Sequence, residues 1–128
     1  MLSLFLFELN FEEKIAFLEL AHRIASVDDC LTPAKEILLE EYAAEMYIEE
    51  YKIQHMPMEE ALSYFQSERS KHIALIELLR LIFSDGVYRP GERKSIQLIK
   101  EYFKFDPNEY NSFRDWITKI KELQEQGS

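Results

Sequence analysis

Ile73-Ala74-Leu75-Ile76-Glu77-Leu78-Leu79-Arg80-Leu81-Ile82-Phe83 is apolar around nearly the whole circumference of a helix turning once in about 3.6 residues. Such a helix must be buried on most sides. The segment 11–27, with Ile15, Phe17, Leu18, Leu20, Ala21, Ile24 and Ala25, is almost as apolar. Two helices of this kind need others wrapped around them, which predicts a compact all-α domain with a helical pair at its centre. No Val/Ile/Thr-rich alternating stretch competes as a strand, and only 3 Gly and 4 Pro are present, few for a turn-rich all-β fold. All four prolines sit where a helix can begin, because their missing N–H would be unpaired there anyway. The pattern predicts six helices, over 11–27, 33–48, 57–68, 70–84, 90–104 and 107–124. Asp106-Pro107-Asn108-Glu109 carries the strongest start signal, and Asn10-Phe11-Glu12-Glu13 has the same reach-back carboxylate.

At 128 residues the chain has room for one domain, expected over 11–124. The apolar start Met1-Leu2-Ser3-Leu4-Phe5-Leu6-Phe7 lacks a basic flank and meets Glu8 at once. It is expected not as a signal peptide or membrane span but as a segment, 1–10, packed on the domain or forming an oligomer contact. A cytoplasmic protein is the default expectation. In the last segment Trp116, with Phe113, Ile117 and Ile120, is expected to pack onto the core.

A formal charge of −9 excludes general affinity for nucleic-acid phosphates. The acidity lies in the first half: residues 1–56 hold 4 Lys/Arg against 12 Asp/Glu. On the segment 33–48, Leu38, Leu39, Tyr42, Ala43 and Met46 are expected to share one face, and Glu36, Glu40, Glu41 and Glu45 the other. That acidic side reads either as a solvated face or as a docking surface for a protein with a basic surface, with Tyr47 and Tyr51 as neighbouring aromatics.

A shift of 57 residues aligns Leu18 with Leu75, Arg23 with Arg80, Asp28 with Asp85 and Pro33 with Pro90. Each half then reads as a helix, an acidic turn and a second helix. The second copy runs Phe83-Ser84-Asp85-Gly86-Val87-Tyr88-Arg89-Pro90-Gly91-Glu92; the first runs Ala25-Ser26-Val27-Asp28-Asp29-Cys30-Leu31-Thr32-Pro33-Ala34-Lys35-Glu36. In these motifs, over roughly residues 11–122, the chain resembles the bacterial tellurite-resistance TerB family and its TerB-like relatives. The first copy departs from the motif, with Asp29 for Gly and Lys35 at the Glu position. The resemblance implies an all-α fold of two similar halves, and a metal-associated or interaction role in stress and defence systems.

Two readings of the acidic turns stand. In one, Asp28, Asp29, Glu36, Asp85 and Glu92 together hold a divalent cation such as Ca²⁺, which takes about six to eight oxygen ligands. In the other, Asp85 caps its own turn and Glu92 favours the start of the next helix. Lys35 would repel a cation. Arg23 and Arg80 are expected to pair with Glu19 and Glu77 or to reach an acidic turn. His22, His55 and His72 have no zinc spacing, and Cys30 follows two aspartates that disfavour a thiolate. With no phosphate loop or nucleophile elbow either, a non-enzymatic role is expected.

Overall fold

The computed structural model describes residues 5–27 and 31–126. Among the described residues six α-helices form: α1 (Phe11–Ala25), α2 (Pro33–Glu45), α3 (Met58–Ser63), α4 (Glu68–Phe83), α5 (Pro90–Phe103) and α6 (Phe113–Gln126). The described residues contain no strand. As its apolar circumference requires, α4 is the hub, packing against α1, α2, α5 and α6. Its buried run extends from Ile73 to Leu79 and includes Leu81 and Ile82. α3 bridges α1 and α5. Phe5, Leu6 and Leu9 are buried ahead of α1, and the Phe5 N–H donates to the Glu77 carboxylate at 3.0 Å. Met1 to Leu4 lie outside the described residues.

Local caps explain most helix starts. Asn10 and Glu13 form the reciprocal box, at 2.8 and 2.9 Å. Thr32 caps α2, and Ser67 caps α4 by accepting from the Ser70 N–H at 3.0 Å. Three boundaries differ from expectation by three residues or more, and one of them is the end of α3, which stops at Ser63 instead of running to residue 68. α2 stops at Glu45 because Tyr47 turns into left-handed backbone, φ 60°. The chain from 46 to 57 then runs as an irregular strap. α6 begins at Phe113, not at residue 107. The expected bonds of Asp106 do form, with the Asp106 N–H donating to Glu109 at 3.1 Å and the Asn108 N–H to Asp106 at 2.8 Å. No helix propagates from them, since the buried Lys100 ammonium takes the carbonyls of Pro107 and Glu109, each at 2.9 Å. Tyr110, also left-handed at φ 60°, turns the chain so that Ser112 caps α6 instead.

Trp116 is buried and its indole N–H donates to the Ile76 carbonyl at 2.9 Å. Phe113 departs from its expected core position: it is 58% exposed and only edges against Phe83 and Trp116.

Candidate functional site

The turn between α4 and α5 holds the densest charge cluster. Gly86, at φ 76°, supplies the left-handed residue that the turn needs. Asp85 accepts from the Val87 N–H at 3.1 Å and from the Arg89 guanidinium at 2.7 Å. Glu92 accepts from the Arg89 N–H at 2.9 Å and so caps the start of α5. Into this cluster, from α2, comes Lys35. Its ammonium donates to Glu92 at 2.5 Å and lies 3.7 Å from Asp85. Lys35 and Glu92 are both 0% exposed, and they are the pair of positions that the 57-residue shift superposes. Burial raises the Asp85 carboxyl, but the bonds from Arg89 and Val87 and the Lys35 charge outweigh it and hold it below the ordinary range.

The arrangement is therefore a carboxylate pair around a positive charge that the chain itself supplies. Of the expected metal ligands, Asp85 and Glu92 are brought together. Glu36 is exposed on α2, on the solvent side of the inward-pointing Lys35. Asp28, Asp29 and Cys30 lie outside the described residues. Among the described residues no group of three or more His, Cys, Asp or Glu is arranged to hold a metal ion.

The four glutamates of α2 lie on the side of the helix away from the core, divided into two flanks. At about 100° per residue, Glu36 and Glu40 lie on one flank and Glu41 and Glu45 on the other. Glu36 and Glu40 are exposed, whereas Glu41 and Glu45 are half-buried. Between the flanks runs a strip containing Ile37, 58% exposed, and the exposed Ala44. Beyond the end of α2, Phe11 and Ile15 of α1 and Tyr47, Ile48 and Tyr51 of the strap line a groove of about 500 Å³, with Glu49 and Glu50 on its rim.

Sequence reasoning named Glu19 only as a partner for Arg23 and missed its role. Rather than pairing with Arg23, its carboxylate anchors the strap, accepting from the Tyr51 hydroxyl at 2.5 Å and the N–H groups of Gln54 and Met56 at 2.7 and 3.0 Å. Burial pulls its carboxyl up, but these bonds prevail and hold it low. Burial, with the same contact, pushes the Tyr51 phenol up to about 12. The available signal was a carboxylate inside an otherwise apolar run, which must find donors. Arg23 donates to the Met56 carbonyl at 2.7 Å, not to an acidic turn. Arg80 pairs with Glu77 at 3.7 Å, the helical neighbour expected for it.

The histidines divide. The rings of His22 and His55 meet edge to face, centroids 6.3 Å apart, beside a pocket of about 370 Å³ between α1 and the strap. His72 stacks on Phe105 at 4.3 Å and shares a 2.6 Å hydrogen bond with the Tyr110 hydroxyl. Burial lowers its proton affinity.

No helix among the described residues is long and apolar enough to cross a membrane. Compared with family models, with curated proteins and with solved structures, the chain gives no match.

Proposed function

We propose that this chain is a non-enzymatic, TerB-like module of protein–protein interaction, in a stress or tellurite-resistance type of system, whose partner presents a basic surface. The observation that carries the reading is the outward strip of α2. An isoleucine 58% exposed between flanking carboxylates is an apolar contact point inside an acidic frame. Interfaces combine an apolar centre with a polar rim, and like-signed rims steer oppositely charged partners at long range. Two of the carboxylates with lowered proton affinity have local structural work: Glu19 ties down the strap, and Asp85 closes its own turn.

A random peptide library displayed on phage and panned against the whole chain tests the reading. Selected peptides are expected to be rich in Lys and Arg, to bind less tightly as salt rises, and to lose binding when Glu36→Lys and Glu40→Lys are combined. No enrichment, or binding indifferent to that double variant, would overturn α2 as the docking face.

The second reading is a divalent cation at the turns. It is favoured by the convergence of Asp85 and Glu92 on one positive charge. An added ion must compete there with an ammonium already hydrogen-bonded to Glu92, which ranks this reading second.

A further inference from the structure

We propose that the groove beyond the end of α2 receives a short basic segment of a partner protein, which inserts one large apolar side chain between Phe11 and Tyr47. The proposal rests on the interaction reading above and names where and by what chemistry the partner is gripped.

Tyr47 is the starting point. The Ile48 N–H donates to the Ala43 carbonyl at 3.0 Å and the Tyr47 N–H to Ala44 at 3.1 Å, the paired bonds that close a helix with a left-handed residue. Glycine takes that conformation at least cost, and a tyrosine is disfavoured there. Burial does not compensate, because Tyr47 is 88% exposed. A large aromatic held in strained backbone and left in water contributes little to folding, so its use lies outside the fold. Phe11, 66% exposed on the first turn of α1, lines the same groove. Tyr51 gives the groove a fixed side, since its hydroxyl is tied to Glu19.

Charge selects the occupant. Glu49 and Glu50 are exposed on the rim, and the first half of the chain carries the excess of acid. A second copy would bring the same rim and the same −9 charge, so self-association is opposed. Anionic partners are opposed for the same reason. With no strand among the described residues, recognition proceeds by side-chain insertion rather than strand addition.

A fluorescent amphipathic Lys–Leu peptide, followed by anisotropy against the whole chain, is the test. Two control peptides accompany it: Lys–Ser, with the charge but no apolar anchor, and Glu–Leu, with the anchor but the opposite charge. The Lys–Leu peptide is expected to bind. Tyr47→Gly is expected to weaken it about tenfold or more while leaving the melting temperature unchanged or higher, since glycine suits the backbone better. Glu49→Gln with Glu50→Gln is expected to weaken binding and flatten its salt dependence. Absence of Lys–Leu binding, equal binding by Tyr47→Gly, or equal binding of the Lys–Ser peptide would overturn the groove. So would sedimentation showing that the wild type pairs with itself and Tyr47→Gly does not. Loss of binding in Glu36→Gln with Glu40→Gln, but not in Tyr47→Gly, sinks the groove and leaves the α2 reading standing.

Discussion

Lys35 sits on the inward side of α2, among Leu38, Tyr42 and Met46, so its ammonium is carried into the interior and must meet an acid there. Glu92 and Asp85 meet it. Lys35→Met keeps the stem but abandons the buried Glu92 carboxylate, and removing one partner of a buried pair costs about 3–5 kcal/mol. Urea denaturation measures the loss; less than about 1 kcal/mol would mean that water reaches Glu92. Combining Lys35→Met with Glu92→Leu is expected to recover much of the stability lost as unpaired charge, although the cap on the Arg89 N–H goes with it. Lys35→Glu is the converse experiment. It gathers three carboxylates, so Ca²⁺ is expected to raise its melting temperature while leaving the wild type unmoved. An equal rise in the wild type would show that the ammonium does not occupy the cation position. Glu92 as a cap was legible from its spacing to Pro90; its partner Lys35, 57 residues away, was not.

At the scale of elements, the entry to α6 shows where local signals lose. The hydrogen bonds of Asp106 and Glu109 form as their spacing predicts, yet Lys100 captures the carbonyls that a helix from residue 107 would offer to its own N–H groups. Lys100 also donates to the Asn111 side chain at 3.2 Å. Burial lowers the proton affinity of its amine, against the opposing pull of Glu109, Asp106 and Asp115. Lys100→Met is expected to cost about 1.5–3 kcal/mol, the range for hydrogen bonds to a charged group, and to speed amide exchange over residues 107–112. Unchanged exchange there would mean that Tyr110 alone sets the turn. Further along, Trp116→Ala is expected to cost about 3–5 kcal/mol, because it removes a large buried ring and leaves the Ile76 carbonyl without the indole N–H. Trp116→Phe isolates the lost hydrogen bond, at about 1–3 kcal/mol. A calorimetric loss below about 1 kcal/mol for the alanine variant would mark α6 as weakly docked.

For the whole molecule, the titrating groups predict the shape of stability against pH. Burial lowers the proton affinity of folded His72, so the unfolded chain binds a proton first and stability falls as pH drops below about 6.5. Glu8, Glu19, Asp85 and Glu109 are all held below the ordinary carboxylate range. Their contribution is present above about pH 4.5 and is lost as pH falls through their folded values. On the alkaline side, Tyr51 is raised from 10.0 to about 12, so the stability it contributes is lost between those values. Denaturation midpoints taken across pH check the curve. His72→Gln is expected to flatten the limb just below pH 6.5, and a limb unchanged in that variant would assign it to other groups.

Hydrophobic period, proline position and caps are properties of a few neighbouring residues, which is why the all-α class, the buried α4 and most helix starts follow from the chain read in order. The acidic excess of the first half follows in the same way, since charge needs only counting. The partner of a buried charge is a different kind of quantity. Lys35, Glu19 and Lys100 each had to be desolvated by packing before their charges demanded particular donors or acceptors, and packing decides which distant group arrives. Glu19 therefore holds a strap more than thirty residues away instead of its helical neighbour Arg23. The face that α2 offers to solvent, split by Ile37, and the exposure of Tyr47 likewise emerge only when the other helices have covered everything else.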